Sequence, residues 1–251
     1  MKFGTKEWSD FSFNVIDGCS HDCKYCYAKA SAIKRGIKTP DNWKVEVTKL
    51  PKKIGHKKGV IMFPTQHDIT PNTVDVCEKA IEDLLKAGNT VLVVSKPHFS
   101  VVKRLVNKFS NSPFKKNLRF RFTIGSSSDD VLKYWEPGAP LFNERLSSLI
   151  YAFEAGFDTS VSCEPMLDAN IEDVVNRVLP YASEVWIGKP NFLNDRVVEN
   201  NPYSASLATM VSDLDELFTD EWILALVDRL KKNPKIKWKE SIKKVIGEDD
   251  D

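Results

Sequence analysis

The sequence predicts an α/β protein built on a parallel sheet of six strands that curls into an open or partial barrel. Three observations predict it. Short apolar, β-branched or aromatic runs alternate with amphipathic segments along residues 11–190, the signature of serial βα units with right-handed crossovers. Each apolar run is only four to seven residues long, as strands buried on both faces of a parallel sheet tend to be. Six such units are too few to close an eight-stranded barrel.

The elements follow in order. Phe11–Ile16 reads as the first strand and Ala28–Arg35 as its helix. Val60–Phe63 leads into a helix over Thr73–Lys86, where Val74, Ala80, Ile81, Leu84 and Leu85 recur at helical spacing and Gly88 is the stop. Thr90–Val94 precedes the helix Ser100–Phe109. Leu118–Ile124 precedes Phe142–Glu154, read as the fourth helix and ended by Gly156. Thr159–Cys163 precedes Ile171–Tyr181, and Glu184–Ile187 is the last strand of the series.

Beyond residue 190 the character changes. Leu207–Phe218 and Glu221–Lys232 read as helices, followed by the basic run KKNPKIKWKESIKK. The division is therefore a core of residues 1–190 and a helical extension of residues 191–251 packed on it. No repeat of fixed period and no low-complexity linker interrupts either part.

Composition limits the possible roles. Of the 251 residues, 42% are hydrophobic and 28% charged, which excludes wholesale disorder. A net charge of +1 excludes nucleic-acid binding by bulk electrostatics, so any such role needs a local basic patch. Local clusters exist at Lys49, Lys52, Lys53, Lys57 and Lys58, at Lys115, Lys116, Arg119 and Arg121, and in the C-terminal lysine run. Phe114, Phe120 and Trp238 accompany some of them, the pairing used to contact phosphates and bases. No run approaches 18 apolar residues, and the N-terminal MKFGTKEWSDFSFN lacks the apolar core of a secretory signal. Five cysteines, three of them crowded together, suit metal-binding thiols in a reducing cytoplasm better than a disulfide framework. The expectation is a cytoplasmic monomer with no membrane association, whose acidic end GEDDD is frayed.

In a parallel sheet, chemistry collects in the loops beyond the C-terminal strand ends. Here those loops read GCSHDCKYCY, PTQHDITP, SKPH, GSSSDD, CEPM and GKPNF, a convergence of polar groups that points to one composite site. The first holds Cys19, Cys23 and Cys26 at a C-x3-C-x2-C spacing. Thiolates are soft ligands that select zinc or iron–sulfur clusters. Three close cysteines without a paired fourth suit a four-iron cluster with one iron left open, whereas structural zinc wants four closed ligands. Zinc completed by His21, Asp22 or a distant histidine is the alternative.

This cysteine turn, just after a first strand and with an aromatic before the third cysteine, resembles that of the radical S-adenosylmethionine (SAM) enzymes. The resemblance implies a partial (β/α)6 barrel, a [4Fe–4S] cluster held by Cys19, Cys23 and Cys26, and SAM chelated to the open iron. It further implies one-electron cleavage of SAM, a 5′-deoxyadenosyl radical that abstracts hydrogen, and an external electron donor of flavodoxin or ferredoxin type. GCSHDCKYCYA, HDITP, VVSKP, RFTIGS and YWEPGAPLFNERLSSLIYAFEAGF are similar to the spore photoproduct lyase-like branch, from residue 11 to about 190.

That branch implies roles residue by residue. Asp68 would hold the SAM ammonium, and Lys96, aided by Ser95, the SAM carboxylate. Thr123, with Ser126 beside it, would lie near SAM. Arg145 would pair either with a SAM carboxylate or with Glu136. Glu164 departs from the small apolar residue of the lyases and would meet the adenosine ribose or a substrate group. His67 and Lys189 are rim positions, His67 on the substrate side. Tyr25 and Tyr27 would either shield the cluster or return hydrogen after substrate cleavage. The lyases' hydrogen-donating cysteine falls near Thr65 here, which leaves Cys163 as the alternative donor and Cys77 as a core residue; lyase-type thymine-dimer repair does not follow. A nucleic-acid base or nucleotide is the first substrate expectation. A peptide or small metabolite is the second, and a non-catalytic iron–sulfur or zinc protein the third.

Overall fold

The computed structural model describes residues 4–49 and 54–248. Lys52 and Lys53, and the end of the acidic tail from residue 249, lie outside the described residues.

The chain enters through a 3-10 turn, Gly4–Glu7, and forms β1 (Phe11–Ser12). The expected first strand then breaks. Asn14 turns the chain away, its side chain accepting from Thr65 N and Gln66 N at 2.8 Å each. Residues 16–17 instead form β2 (Ile16–Asp17), antiparallel to β3 (Val47–Thr48) after α1 (Tyr27–Lys34). The remaining units follow as β4 (Val60–Phe63), α2 (Val74–Lys86), β5 (Thr90–Ser95), α3 (Phe99–Phe109), β6 (Leu118–Thr123), α4 (Asp129–Trp135) with α5 (Phe142–Glu154), β7 (Asp158–Cys163), α6 (Ile171–Val178) and β8 (Val185–Ile187). The helix expected at 142–154 is thus the fifth, because α4 occupies the loop after β6.

Past β8 come α7 (Leu193–Asn200), α8 (Ala205–Leu217), α9 (Asp220–Leu230), β9 (Ile236–Trp238) and α10 (Glu240–Ile246). The lysine-rich C-terminal run therefore does more than flank the core: β9 pairs parallel with β8 and adds a seventh strand. Its alternation of Ile236 and Trp238 is only three residues long and set among lysines, too short a period to stand out.

The seven-stranded sheet runs β1-β4-β5-β6-β7-β8-β9, every neighbouring pair parallel. This singly wound order puts the helices on one face. Alternate strand residues Ile61, Phe63, Val91, Val93, Phe120, Phe122, Val161 and Cys163 are buried in the core beneath them. The other set faces the lumen. Met62, Val94, Thr123 and Ser162 line a cavity of about 670 Å³ at the C-terminal strand ends. Arg121, Ser160 and Trp186 line the opposite end.

The lumen is plugged between the two ends. Trp8, from the N-terminal segment, stacks edge-on against Trp186, and the Arg121 guanidinium lies 4.8 Å and 5.2 Å from those two rings. Lys239, following β9, is fully buried, pairs with Glu7 and, at 3.2 Å, with Glu164, and stands 4.0 Å from the Trp8 ring. Both chain ends thus close the barrel. Among the described residues, no helix is long and apolar enough to cross a membrane.

Candidate active site

The cysteine turn is shaped by backbone before side chains matter. Gly18 adopts φ +98°, and a Cβ there would overlap the Val45 carbonyl oxygen. Cys19 N donates to Trp43 O at 3.0 Å. Cys26 is the N-cap of α1, its sulfur accepting from Lys29 N at 3.4 Å. All three cysteines line the 670 Å³ cavity. Burial pushes each thiol above its ordinary range, so only a strongly cationic occupant would hold them as thiolates.

A second element braces the turn. Lys24 N donates to Trp135 O and Gly138 N to His21 O, each at 2.9 Å. The Tyr25 hydroxyl donates to Glu136, which is ion-paired with Arg145, both side chains wholly buried. Arg145 also donates to Pro140 O at 2.7 Å and Thr123 O at 3.1 Å. Burial opposes the Glu136 charge, yet the Arg145 and Lys96 cations outweigh it and hold the carboxyl below its usual range. The segment Trp135–Arg145 is therefore the clamp of the cysteine turn. Gly138 has no room for a side chain, since a Cβ would overlap the Ser20 carbonyl oxygen. Gly138→Ala is expected to displace the turn and lower iron incorporation after reconstitution at least about 10-fold, the scale of a disturbed outer shell, as read by iron content per chain.

Asp68 is the third brace. Its carboxylate accepts from Ser95 Oγ, from Ile69 N at 2.8 Å and from Lys96 N at 2.9 Å, with His21 Nδ1 at 3.2 Å. Burial raises its pKa, but His21, Lys96 and Ser95 together drive it well below the usual range. Asp68 borders the cavity, yet both oxygens already serve to join the turn to the ends of β4 and β5. His67 is similarly engaged, with Val15 N at 3.2 Å on Nε2 and Asp68 O at 2.9 Å from Nδ1.

Around the cavity stand Tyr25, Tyr27, His67, Asp68, Ser95, Lys96, Thr123 and Glu164 with the three cysteines, all of them singled out in sequence. Lys96 Nζ lies 3.9 Å from Glu136 and 5.6 Å from the Tyr25 ring, and stays charged because neighbouring acids outweigh its burial. Glu164 is held by Lys239, which Gly188 admits because a Cβ there would sit 2.8 Å from the lysine's own. Burial raises the Glu164 carboxyl, with Lys239 opposing. The Tyr27 hydroxyl donates to Thr65 O, and burial pushes it up to about 12.

Three expected site residues lie elsewhere. Ser126 is fully buried, donating to Asp168 and accepting from Ser128 N at 2.9 Å, so it braces a turn. Arg145 is ion-paired with Glu136, the second of the two partners expected for it, donates to two carbonyls and does not border the cavity. Cys163 points out of the lumen into the core, because strand alternation gives the inward places to Ser162 and Glu164. Lys189 pairs with Asp220 at 3.6 Å, and Cys77 is a core residue of α2. Of the basic clusters, Lys57 and Lys58 precede β4 and Lys115 precedes β6, at the barrel end away from the cavity. Sequence reasoning missed Arg196, on the cavity's rim, and took Lys239 only as part of the C-terminal lysine run.

Among the described residues, no three His, Cys, Asp or Glu side chains converge as one metal ion requires. Three thiols, two buried and one half-buried, open onto a cavity of several hundred cubic ångströms and suit a larger multi-iron group with space beside it.

Comparison with solved structures places the fold. Spore photoproduct lyase complexed with dinucleoside spore photoproduct superposes with a TM-score of 0.55 at 16% identity, covering 94% of this chain and 78% of that one. A spore photoproduct lyase variant with bound AdoMet and dinucleoside spore photoproduct gives 0.54 at 15%, over the same shares. Streptococcus suis SuiB bound to precursor peptide SuiA gives 0.50 at 9%, covering 75% of this chain and 39% of that one. At such identities the likeness is one of fold. No curated protein matches in sequence. The family description "Radical SAM superfamily" matches residues 13–178, which span the cysteine turn, the clamp and four of the seven parallel strands, β4 to β7. With the cysteines, the barrel and the family match in agreement, the chain belongs to the radical SAM superfamily.

Proposed function

We propose that the cavity holds a [4Fe–4S] cluster and SAM, and that the protein abstracts hydrogen from a nucleic-acid base or nucleotide entering at the strand ends. The observation that carries this is the opening of all three thiols, two of them buried, onto one large, polar-rimmed cavity. The bound pair of cofactors supplies one-electron cleavage of the SAM sulfonium and a 5′-deoxyadenosyl radical, with the electron drawn from a flavodoxin- or ferredoxin-type donor.

The chain's own residues do the rest. Cys19, Cys23 and Cys26 bind iron. Lys96 supplies a cation on the cavity wall for a carboxylate, and Thr123 and Ser95 offer hydroxyls on the adjacent strands. Tyr25 closes the inner wall against water, its hydroxyl used by Glu136. Glu164, aimed into the cavity from β7 and fixed by Lys239, is placed to accept from a ribose or substrate hydroxyl. Among the described residues, no thiol beyond the three of the turn borders the cavity. The Tyr27 hydroxyl, at the Thr65 position, is then the group available to return hydrogen.

The test is direct. Protein reconstituted anaerobically with iron and sulfide, reduced with dithionite and given SAM is expected to release 5′-deoxyadenosine, read by mass spectrometry. A sample with a full four-iron cluster that leaves SAM intact would overturn the proposal.

A further inference from the structure

We infer that Arg196 is a specificity-determining residue that grips a phosphodiester oxygen of the substrate at the cavity mouth, with Phe192 as the stacking platform for the adjoining base. The inference deepens the reading above, since it takes this mouth as the substrate entrance.

Helix α7 is tied to the cysteine turn. Asn200 Nδ2 donates to Lys24 O at 3.0 Å and Cys26 O at 2.9 Å, and Asn201 Nδ2 to Lys24 O at 3.0 Å. Arg196 is carried one turn back along this helix and borders the cavity. Its guanidinium lies 5.9 Å from the Tyr27 ring and 5.7 Å from the Phe192 ring.

Three other charges of the cavity already have partners in the chain: Asp68 its donors, Lys96 the Glu136 carboxylate and Glu164 the Lys239 ammonium. Among the described residues, Arg196 has no carboxylate within ion-pair distance and its guanidinium donates no hydrogen bond to protein. Burial depresses its pKa and the more distant Glu164 only partly opposes this, so the group bears a desolvation cost that no ion-paired carboxylate of the chain offsets. Five donors in a planar fork suit an oxyanion approached edge-on.

Phe192 decides which oxyanion. It is a non-glycine residue in the left-handed region, φ +53°, with its ring 73% exposed. Backbone strain of this kind persists where it serves a site. An exposed ring beside an unpaired guanidinium is the pairing that contacts a base and its phosphate together. An acidic peptide would satisfy the arginine and leave the ring unused.

The experiment uses the reconstituted full chain and titration calorimetry. The probes are thymidylyl-thymidine, its uncharged methylphosphonate analogue, a glutamate-rich peptide and SAM. The wild type is expected to bind the phosphodiester more tightly than the methylphosphonate. Arg196→Gln should weaken phosphodiester binding about 10-fold, the scale of a charged hydrogen bond, while leaving methylphosphonate and SAM affinities in place. Phe192→Ala should weaken both dinucleotides alike. Equal loss on the two dinucleotides with Arg196→Gln, a loss of SAM affinity, tighter binding of the peptide, or no dinucleotide binding by the wild type would each overturn the inference. Dinucleotide discrimination without SAM cleavage would instead count against the radical chemistry and leave Arg196 in its role.

Discussion

Cys23→Ser is expected to abolish cluster formation and to cut 5′-deoxyadenosine production at least about 100-fold, since loss of an outer-shell partner alone costs a metal site 10–100-fold. Cys23 is 6% exposed and lies between Lys96 and Glu136 in charge terms. A buried serine hydroxyl does not ionise there, and a hard oxygen is a poor match for iron–sulfur iron. The measurement is iron and sulfide per chain, with the visible absorbance of the reconstituted protein. Cys163→Ala is the matching control. Its sulfur packs in the core on the outward face of β7, so that variant should keep its iron and lose only modest stability, about 1 kcal/mol. Retention of a full cluster by Cys23→Ser would remove Cys23 from the ligand set.

Arg145→Met is expected to destabilise the fold by about 3–5 kcal/mol, the cost of stranding a buried charge. It leaves Glu136 fully buried with only Tyr25 and, at 3.9 Å, Lys96 to face it. For a chain of this size that is a fall in Tm of roughly 10 °C or more, read by calorimetry or circular dichroism. The pH dependence follows from the sign of the shift. The Glu136 carboxyl is held below its unfolded range, so its contribution is present at neutral pH and is lost as pH falls below about 4. The same variant frees Tyr25 and the clamp around Lys24, so iron incorporation should fall with stability. An Arg145→Met protein as stable as the wild type would overturn the view that Arg145 offsets a buried Glu136 charge.

Much of the architecture was legible because strand-like and helix-like periods are local. The runs at 60–63, 118–124 and 159–163 stand out through β-branched and aromatic content and correspond to β4, β6 and β7. The helix at 142–154 has the same bounds in the structure as in the sequence reading. Elements escaped where the local signal was weak or overridden. β9 is three residues among lysines. The run at 11–16 reads as one strand in sequence, but Asn14 is captured by the backbone of Thr65 and Gln66, a long-range event that splits the strand.

The site divides along the same line. C-x3-C-x2-C declares soft-metal chemistry by itself, because three thiols within eight residues necessarily share one loop. The position of a strand-end residue in the lumen or outside it depends on register, and a single residue decides between Ser162 and Cys163. Arg145 illustrates the limit: a cation nine residues from an acid could have met either SAM or that acid. Only the packed structure, with both groups desolvated and the arginine also held by Pro140 and Thr123, assigns it to Glu136.

By itself, then, the sequence determined the α/β class, the serial parallel sheet and the three-thiol turn, all carried by residues close in the chain. Tertiary structure alone decided which polar groups are spent on bracing that turn and which remain free to meet a ligand. Hydrogen-bond partners and desolvation come from residues as distant as Glu7 and Lys239 or Lys24 and Asn200, and no local pattern encodes such pairings.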